Sequence, residues 1–237
     1  MHLGILQTGH LPDEVAATDG PYETLFRNLF AHRGFTQTLW SVVDNIFPDS
    51  PKVADAWLVT GSKHGAYEDH PWIPPLEDLI RAIRDAGIPL VGSCFGHQII
   101  AQALGGTVEK FTGGWSVGAT EYRVGDRTLH LNAWHQDQIT QLPDGATIHG
   151  SSDLCANAIV AFGPHILSTQ PHPEFESTVI EKLIETKGYL IEPDHLDHAR
   201  AHLTQANDNR LIADWMADVL EGANATSPPA FTRKAHS

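Results

Sequence analysis

The sequence predicts an α/β fold built on a mostly parallel sheet. Short apolar runs alternate with amphipathic stretches through the first half of the chain, which is typical of strands joined by helical crossovers. Polar loops with glycine follow two of the apolar runs, where ligand sites of parallel sheets lie. The length of 237 residues, of which 41% are hydrophobic, is enough for one domain with a sizeable core.

The first half of the chain supplies four predicted strands and two helices. Apolar or alternating runs predict strands over residues 2–7, 36–43, 54–59 and 87–91. Apolar residues at helical spacing predict helices over residues 22–30 and 76–86, and Gly34 stops the first of them. This half therefore predicts parallel strands with their carboxyl ends at one edge of the sheet.

A cysteine lies at the turn after the fourth predicted strand. Residues 92–96 are Gly-Ser-Cys-Phe-Gly, and residues 99–104 predict a short helix that Gly105 ends. The glycines flank Cys94 at a strand-to-helix turn so sharp that side chains in their place would collide. The helix N-terminus favours a thiolate, and the amide of Phe95 would face an oxyanion. A buried core cysteine beside a glycine turn is the alternative.

The second half of the chain predicts shorter strands and then helices. Strand-like pieces cover residues 107–110, 118–124, 128–131, 147–150, 158–162 and 166–170. Residues 111–117 form a loop whose backbone could line a polar substrate site, and residues 132–139 form a polar segment. Predicted helices cover residues 176–187, 195–206 and 208–220. The apolar stripe of the last helix predicts packing on the main domain.

A histidine follows the last predicted strand. Residues 170–174 are Gln-Pro-His-Pro-Glu, in which His172 can transfer a proton near neutral pH. Glu174 can bind the other ring nitrogen of His172, and the prolines stiffen the segment. A structural histidine in a proline turn is the alternative, which the cysteine turn disfavours. The loop over residues 60–67 contains Gly61, whose amide could complete an oxyanion hole.

Together these motifs resemble the class I, or triad, glutamine amidotransferases. The resemblance covers roughly residues 1–185 and depends on residues 92–98, the glycine pair 105–106 and residues 170–174. It implies a flavodoxin-like three-layer sandwich with a mostly parallel central sheet, a small antiparallel β addition and a C-terminal helical extension. The expected organisation is an amidotransferase-like domain at 1–190, a helical extension packed on it at 191–222, and a flexible tail at 223–237.

The resemblance also implies a reaction and a set of site residues. Cys94 would attack the side-chain amide of glutamine or a γ-glutamyl compound and form a thioester, releasing ammonia or an amine. His172 would act as base and then as acid, and Glu174 would orient it. The amides of Gly61 and Phe95 would hold the oxyanion. The implied substrate contacts are Gln98, Trp115, Ser116, Val117, His135 and Asp137.

Three departures from the family pattern point to its stand-alone members, which include plant γ-glutamyl peptidases. Pro171 stands where relatives such as GMP synthetase usually have an aromatic residue. Residues 60–63 are Thr-Gly-Ser-Lys instead of Ser-Gly-Gly-Pro, and Gln136 stands where glycine is usual. Two alternatives therefore stay open: a γ-glutamyl peptidase, and a non-catalytic binding protein on the same fold.

Composition limits the partners and the compartment. The formal net charge of −14 argues against nucleic acid or an anionic membrane as a partner. The resemblance implies a small-molecule substrate and allows a separate synthase subunit that accepts ammonia. Two cysteines, no visible signal peptide and no apolar span predict a cytoplasmic protein.

We expect no cofactor and no metal site. His195, His198 and His202 share one face of a predicted helix, a spacing that can bind a transition metal. No cysteine or carboxylate motif accompanies them, so a solvent-facing surface rich in histidine is favoured. Cys155 lies in a polar loop without a partner and is assigned no role.

Overall fold

A nine-stranded sheet forms the centre of the structure, a computed structural model that describes residues 1–230. The strands of the chain are β1 (His2–Leu6), β2 (Thr36–Trp40), β3 (Ala56–Val59), β4 (Leu90–Ser93), β5 (Thr107–Lys110), β6 (Ser116–Val124), β7 (Arg127–His135), β8 (Asp137–Gln141), β9 (Ala146–Ser151), β10 (Ile159–Phe162) and β11 (Ile166–Thr169). The order in the large sheet is β2-β1-β3-β4-β11-β10-β9-β6-β7, and β5 pairs with β8 in a separate two-stranded sheet.

The large sheet is parallel at one end and antiparallel at the other. Strands β2, β1, β3, β4 and β11 pair in parallel. Strands β10, β9, β6 and β7 continue the sheet with antiparallel pairings. The predicted α/β fold with a parallel centre and an antiparallel addition is confirmed.

Helices cover both faces of the sheet. They are α1 (Asp13–Asp19), α2 (Tyr22–Leu29), α3 (Ile73–Asp85), α4 (Phe95–Ala103), α5 (Ser177–Lys187), α6 (Pro193–Ala201) and α7 (Asn209–Leu220). One core contains side chains of α1, α2, α5 and α7, and the other contains those of α3 and α4. Leu58 packs into the first core and its neighbour Trp57 into the second, because side chains alternate across a strand. This arrangement is the expected three-layer sandwich.

Several elements differ from the sequence-based predictions. Helix α1 was not predicted because it is short and buries one residue, Val15. Strand β8 was not predicted because it lies in a polar segment and pairs with β5 through an irregular register. The strand predicted over 36–43 ends at Trp40, and a single 3₁₀ turn follows over Val42–Asp44. Helix α3 begins at Ile73 because its prolines fit the first turn of a helix.

The C-terminal helices pack on the main body. Helix α6 ends at Ala201 instead of residue 206, since Asp208 is held against β7 by two hydrogen bonds with the backbone of His130. The apolar face of α7, including Trp215, is buried in the first core, as its apolar stripe predicts. In the predicted tail, Ala225 is buried and its amide donates to the Pro164 oxygen at 2.9 Å. Residues 231–237 of that prediction lie outside the described residues.

Three neighbouring strands end at the same edge of the sheet. In the parallel register Val59 of β3 pairs with Gly92 of β4, and Ser93 of β4 pairs with Thr169 of β11. The segments that follow these strands therefore leave the sheet side by side. No helix within residues 1–230 is long and apolar enough to cross a membrane.

Candidate active site

The turn between β4 and α4 holds its cysteine in a strained conformation. Cys94 has φ 51° and ψ −104°, and it shares a positive φ with just one other non-glycine residue of the described range, Asn45. Such strain costs about 1–3 kcal/mol and is typical of functional sites. A Cβ at Gly92 would lie 2.7 Å from the Gly96 backbone, and one at Gly96 would lie 2.2 Å from the Val59 oxygen. The predicted steric reason for both glycines is confirmed.

Cys94 lies at the N-terminus of α4 and is fixed to the neighbouring strand. The residue is 6% exposed, and its amide donates to the Thr169 oxygen at 2.8 Å. Phe95 is the first residue of the helix, so its amide has no acceptor within the helix. The partial positive charge of the helix end therefore lies beside the sulfur.

His172 connects the cysteine to a carboxylate. Its Nδ1 lies 2.6 Å from Oε1 of Glu174, and its ring stacks on Phe175 with centroids 4.0 Å apart and planes at 2°. Cys94 is the other group that acts on the imidazole. Burial lowers the pKa of His172, but the negative charges of Cys94 and Glu174, with a hydrogen bond to each, raise it to about 10. The imidazole is therefore protonated at neutral pH.

Glu174 accepts hydrogen bonds from two residues that sequence reasoning missed. The Tyr22 hydroxyl donates to Oε1 at 3.0 Å, and Ser93 Oγ donates to Oε2 at 2.9 Å. The Glu174 side chain is fully buried, so these donors and His172 compensate the loss of water. Burial, then the negative charge of Glu174, raise the pKa of Tyr22 well above its usual value, so the phenol keeps its proton.

The turn that carries His172 is held by the elements around it. The His172 amide donates to the Asn132 oxygen of β7 at 2.8 Å. The Phe175 oxygen accepts from the side-chain amides of Asn132 and Asn209, both at 2.8 Å. Because Asn209 is the first residue of α7, the C-terminal helices support the turn directly.

The loop after β3 lies against the imidazole. A Cβ at Gly61 would be 2.3 Å from the Tyr22 hydroxyl and 3.1 Å from Cε1 of His172, so only glycine fits. The Gly61 oxygen accepts from Thr8 Oγ1 at 2.9 Å, which anchors the loop. The backbone of Gly61 also hydrogen-bonds the Tyr22 hydroxyl. Gly61 therefore lies beside His172 and Phe95 follows Cys94 directly, while their role in an oxyanion hole stays a prediction.

A cleft of about 870 Å³ opens onto these groups. This volume lies within the range of small-molecule sites, about 300–1,000 Å³. Its walls include Cys94 and His172 together with four of the six predicted substrate contacts: Gln98, Trp115, His135 and Asp137. The other two, Ser116 and Val117, are buried in β6, pair with β7 and are not among the described residues that line the cleft.

Gln98 and His135 are bound to the backbone of Asp137, the first residue of β8. The Gln98 side-chain amide donates to the Asp137 backbone oxygen at 2.8 Å and to Gln170 Oε1 at 3.1 Å. Nδ1 of His135 lies 3.3 Å from the same Asp137 oxygen. Burial and then the positive charge of His172 lower the pKa of His135 to about 3, so this imidazole is neutral. Gln98 thus lines the cleft and also holds the neighbouring wall residues in place through its hydrogen bonds.

Asp137 presents a carboxylate to the cleft. Burial raises the pKa of Asp137, although a hydrogen bond from Tyr67 and the charge of Lys110 oppose the shift. Burial and Asp137 together raise the pKa of Tyr67 to about 12. Tyr67 and Lys110 also line the cleft and are further residues that sequence reasoning missed. A carboxylate and an ammonium group on one wall suit the charged end of an amino acid.

The remaining cysteine and histidine candidates lie elsewhere. Cys155 is buried, and burial raises the pKa of its thiol to about 12. The predicted histidine face is interrupted, since α6 ends before His202 and Nδ1 of His195 lies 3.6 Å from Glu192. Within residues 1–230, three residues bring metal-ligating atoms within 4.8 Å of one another, and these are His64, Glu68 and His70.

Comparisons with known proteins agree with this architecture. The chain is 26% identical to γ-glutamyl peptidase 3 of Arabidopsis thaliana over 217 residues, which cover 84% of this chain and 87% of that protein. It is 33% identical to the glutamine-hydrolysing GMP synthase of Thermobifida fusca over 150 residues, 57% of this chain and 26% of that enzyme.

Solved structures share the fold. A glutamine amidotransferase from Methylobacillus flagellatus superposes with a TM-score of 0.72 at 17% identity, covering 92% of each chain. The family model for glutamine amidotransferase class-I matches residues 44–190, which include Cys94, His172 and Glu174. With this match over more than half of its length, the chain belongs to the class-I glutamine amidotransferase family.

Proposed function

We propose that this chain hydrolyses the γ-amide bond of glutamine or of a γ-glutamyl compound through a thioester on Cys94. The observation that carries the proposal is the buried imidazole of His172, whose Nδ1 lies 2.6 Å from Oε1 of Glu174 and whose pKa Cys94 and Glu174 both raise. A cysteine in such a position is an activated nucleophile. The strained turn at Cys94 and the helix end beside it are further support.

Acylation of the cysteine is the first half of the reaction. The Cys94 thiolate attacks the γ-carbonyl carbon, and the C=O pair moves onto oxygen as an oxyanion. The amide of Phe95 is placed to stabilise this charge, with a second donor from the loop at Gly61. As the C–N bond breaks, the His172 imidazolium gives its proton to the leaving nitrogen. Ammonia or an amine departs, and a γ-glutamyl thioester and neutral His172 remain.

Deacylation restores the enzyme. Neutral His172 takes a proton from water, and the hydroxyl oxygen attacks the thioester carbon. The tetrahedral intermediate collapses, the C–S bond breaks, and glutamate leaves. The sulfur departs as a thiolate beside the imidazolium, which is the starting state. Glu174 orients the ring throughout, as carboxylates do in triads of this kind.

Charges on the cleft wall suit the amino-acid end of such a substrate. Asp137 would accept hydrogen bonds from the α-ammonium group, and Lys110 would pair with the α-carboxylate. His135 is neutral and lines the cleft, so it can contact the substrate without adding charge. The other predicted contacts, Gln98 and Trp115, would shape the wall.

Product release from a substrate panel tests the proposal. The purified chain would be incubated with glutamine, γ-glutamyl amides and γ-glutamyl peptides, and ammonia or amine would be measured. We expect release by the wild type and by Cys155→Ala, and none by Cys94→Ala. Cys155→Ala is a matched control because it removes the other buried thiol of the chain. Release that survives in Cys94→Ala contradicts the mechanism, and no release with any compound favours a non-catalytic binding protein.

A γ-glutamyl peptidase is the second candidate. The cleft of about 870 Å³ is larger than free glutamine requires, and Asp13, Glu14 and Tyr189 also line it. These residues would contact the part of a peptide beyond the γ-glutamyl group. Similarity to a γ-glutamyl peptidase over 84% of the chain also favours this candidate. Higher kcat/KM for γ-glutamyl peptides than for glutamine would support it.

Transfer of ammonia to a partner is the third outcome of the same panel. The match to GMP synthase covers 26% of that enzyme, and a transfer reaction would need a synthase that accepts the ammonia. Activity with glutamine that rises when a synthase is added would support transfer. We place the reaction in the cytoplasm because the mechanism needs a free thiol, and both cysteines are free.

A further inference from the structure

Three metal-ligating side chains meet in the loop between β3 and α3, outside the proposed triad. Oε2 of Glu68 lies 3.3 Å from Nδ1 of His64 and 2.7 Å from Nε2 of His70. All three ligand atoms lie within 4.8 Å of one another. One carboxylate oxygen and two imidazole nitrogens therefore surround a common point.

We propose that His64, Glu68 and His70 bind one divalent transition-metal ion of the Zn²⁺ type. Two histidines and one glutamate form a donor set that zinc enzymes use with an open fourth position. Zinc binds such ligands at about 2.0–2.2 Å, which separates neighbouring ligand atoms by about 3.0–3.5 Å. The 3.3 Å separation already fits, and the 2.7 Å separation needs to open by a few tenths of an ångström.

Packing holds the rings close to this geometry. The His64 and His70 rings meet edge to face with centroids 4.3 Å apart. His70 also stacks on Trp72, with centroids 5.8 Å apart and planes at 12°. Trp72 is 3% exposed and packs on Phe95, so the support for the His70 ring is itself fixed in the core. Ligands held in this way lose little freedom on binding an ion.

The backbone of the loop brings the glutamate to the histidines. The Glu68 amide donates to the Gly65 oxygen and the His70 amide donates to the Glu68 oxygen, both at 3.0 Å. The Tyr67 ring packs over Gly65, where a Cβ would lie 2.8 Å from it. The loop is therefore folded around the three ligands by its own hydrogen bonds and packing.

The site lies at the rim of the cleft that contains Cys94. His64 and Glu68 line that cleft, whereas His70 is behind them against Trp72. Three protein ligands leave at least one coordination position of a bound ion for water or for an oxygen of a ligand in the cleft. This inference does not depend on the proposed hydrolysis.

Titration with Co²⁺, a spectroscopic substitute for Zn²⁺, tests the proposal in the full-length Cys94→Ala chain. This background removes the thiol that lines the same cleft as His64 and Glu68 and could compete as a ligand. We expect one Co²⁺ per chain with a visible absorption band, and displacement of that band by Zn²⁺. Loss of an outer partner of a metal ligand typically costs 10–100-fold in affinity, so Glu68→Gln and His70→Ala should each weaken binding by about 100-fold or more.

Control variants separate this site from general attraction of cations to an acidic chain. His198→Ala and His202→Ala remove two histidines on α6 and just after it, with ring centroids 4.2 Å apart, and should leave the affinity unchanged. Melting curves without metal show whether each variant is folded. A parent chain without the band, or a Glu68→Gln chain that binds within about tenfold of it, would overturn the proposal. Loss of binding in the His198→Ala chain would overturn it as well.

Discussion

At the residue scale, the account depends on how Glu174 is held. Its carboxylate accepts from Tyr22 and Ser93 and faces Nδ1 of His172 at 2.6 Å. A buried carboxylate with three partners has one stable orientation, so it fixes the plane of the imidazole. Tyr22 and Ser93 therefore act on the reaction through Glu174 and are positioning residues.

Removal of the Tyr22 hydroxyl should slow the reaction without unfolding the chain. A hydrogen bond to a charged group contributes about 1.5–3 kcal/mol, so Tyr22→Phe should lower kcat/KM by about tenfold to hundredfold. We expect most of the loss in kcat, because Tyr22 orients the triad through Glu174. Tyr122→Phe is the matched control, since it removes another buried tyrosine hydroxyl. Equal activities of Tyr22→Phe and wild type would contradict the positioning role.

The raised pKa of His172 predicts the alkaline limb of the pH profile. Burial opposes the shift, but Cys94 and Glu174 raise the pKa of His172 to about 10. Its proton is therefore present through neutral pH and is lost as pH rises through that value. We expect kcat/KM to stay level above neutrality and to fall near pH 10. A fall centred near 6.5, the ordinary value for histidine, would show that the imidazole is not paired in this way.

At the element scale, the turn between β4 and α4 sets the position of the nucleophile. Strand and helix approach so closely that Gly96 has no room for a methyl group against the Val59 oxygen at 2.2 Å. Gly96→Ala should therefore destabilise the fold by about 1–3 kcal/mol or more through overpacking. Chemical denaturation of the variant and wild type would measure the difference in unfolding free energy.

Gly34→Ala is the control for the glycine substitution. Nothing lies within 4 Å of a Cβ at Gly34, whose φ is +66°. Its cost should be the penalty of the left-handed conformation alone, about 1–2 kcal/mol. Activity should survive in Gly34→Ala and be lost in Gly96→Ala, since the second change displaces the turn that carries Cys94. Comparable activity in both variants would show that the turn tolerates displacement.

The sequence predicts elements well where chemistry is local. Apolar runs and their glycine turns locate β1, β3, β4 and β11, and the motif around Cys94 locates the sharp turn. Tyr22 could not be found in this way, because it meets Glu174 across 152 positions. Strand β8 has no apolar signal of its own in the sequence. It forms because the fold brings it beside its partner β5. The cluster of His64, Glu68 and His70 could not be predicted either, because it depends on the conformation of its loop.

At the scale of the whole molecule, buried histidines make stability depend on pH. Burial lowers the pKa of His97 and of His135 to about 3, so both are neutral in the folded chain. Below about pH 6.5 the unfolded chain binds protons that the folded chain does not. The contribution of these two histidines to stability is therefore fully present above that pH and falls as pH drops toward 3, by up to about 1.4 kcal/mol per unit for each histidine.

Unfolding free energies measured between pH 7 and pH 4 check this expectation. His97 lies in α4, and its Nδ1 is 2.7 Å from Ser168 Oγ. His97→Gln should remove about half of the decrease in unfolding free energy with falling pH that the two histidines cause together. His202→Gln, which changes a partly exposed histidine, should leave the slope unchanged. Parallel curves for His97→Gln and wild type would show that this histidine does not resist protonation.

The central claim is that Cys94 carries the glutamyl group during turnover, and mass measurement of the intact chain tests it most directly. The chain would be mixed with an active γ-glutamyl substrate and quenched in acid within the first turnovers. The mass of the intact chain would then be measured by mass spectrometry. We predict a mass gain of one glutamyl group in the wild type and in Cys155→Ala, and no gain in Cys94→Ala. Turnover of the substrate by Cys94→Ala, or a glutamyl group mapped to any other residue, would contradict the account.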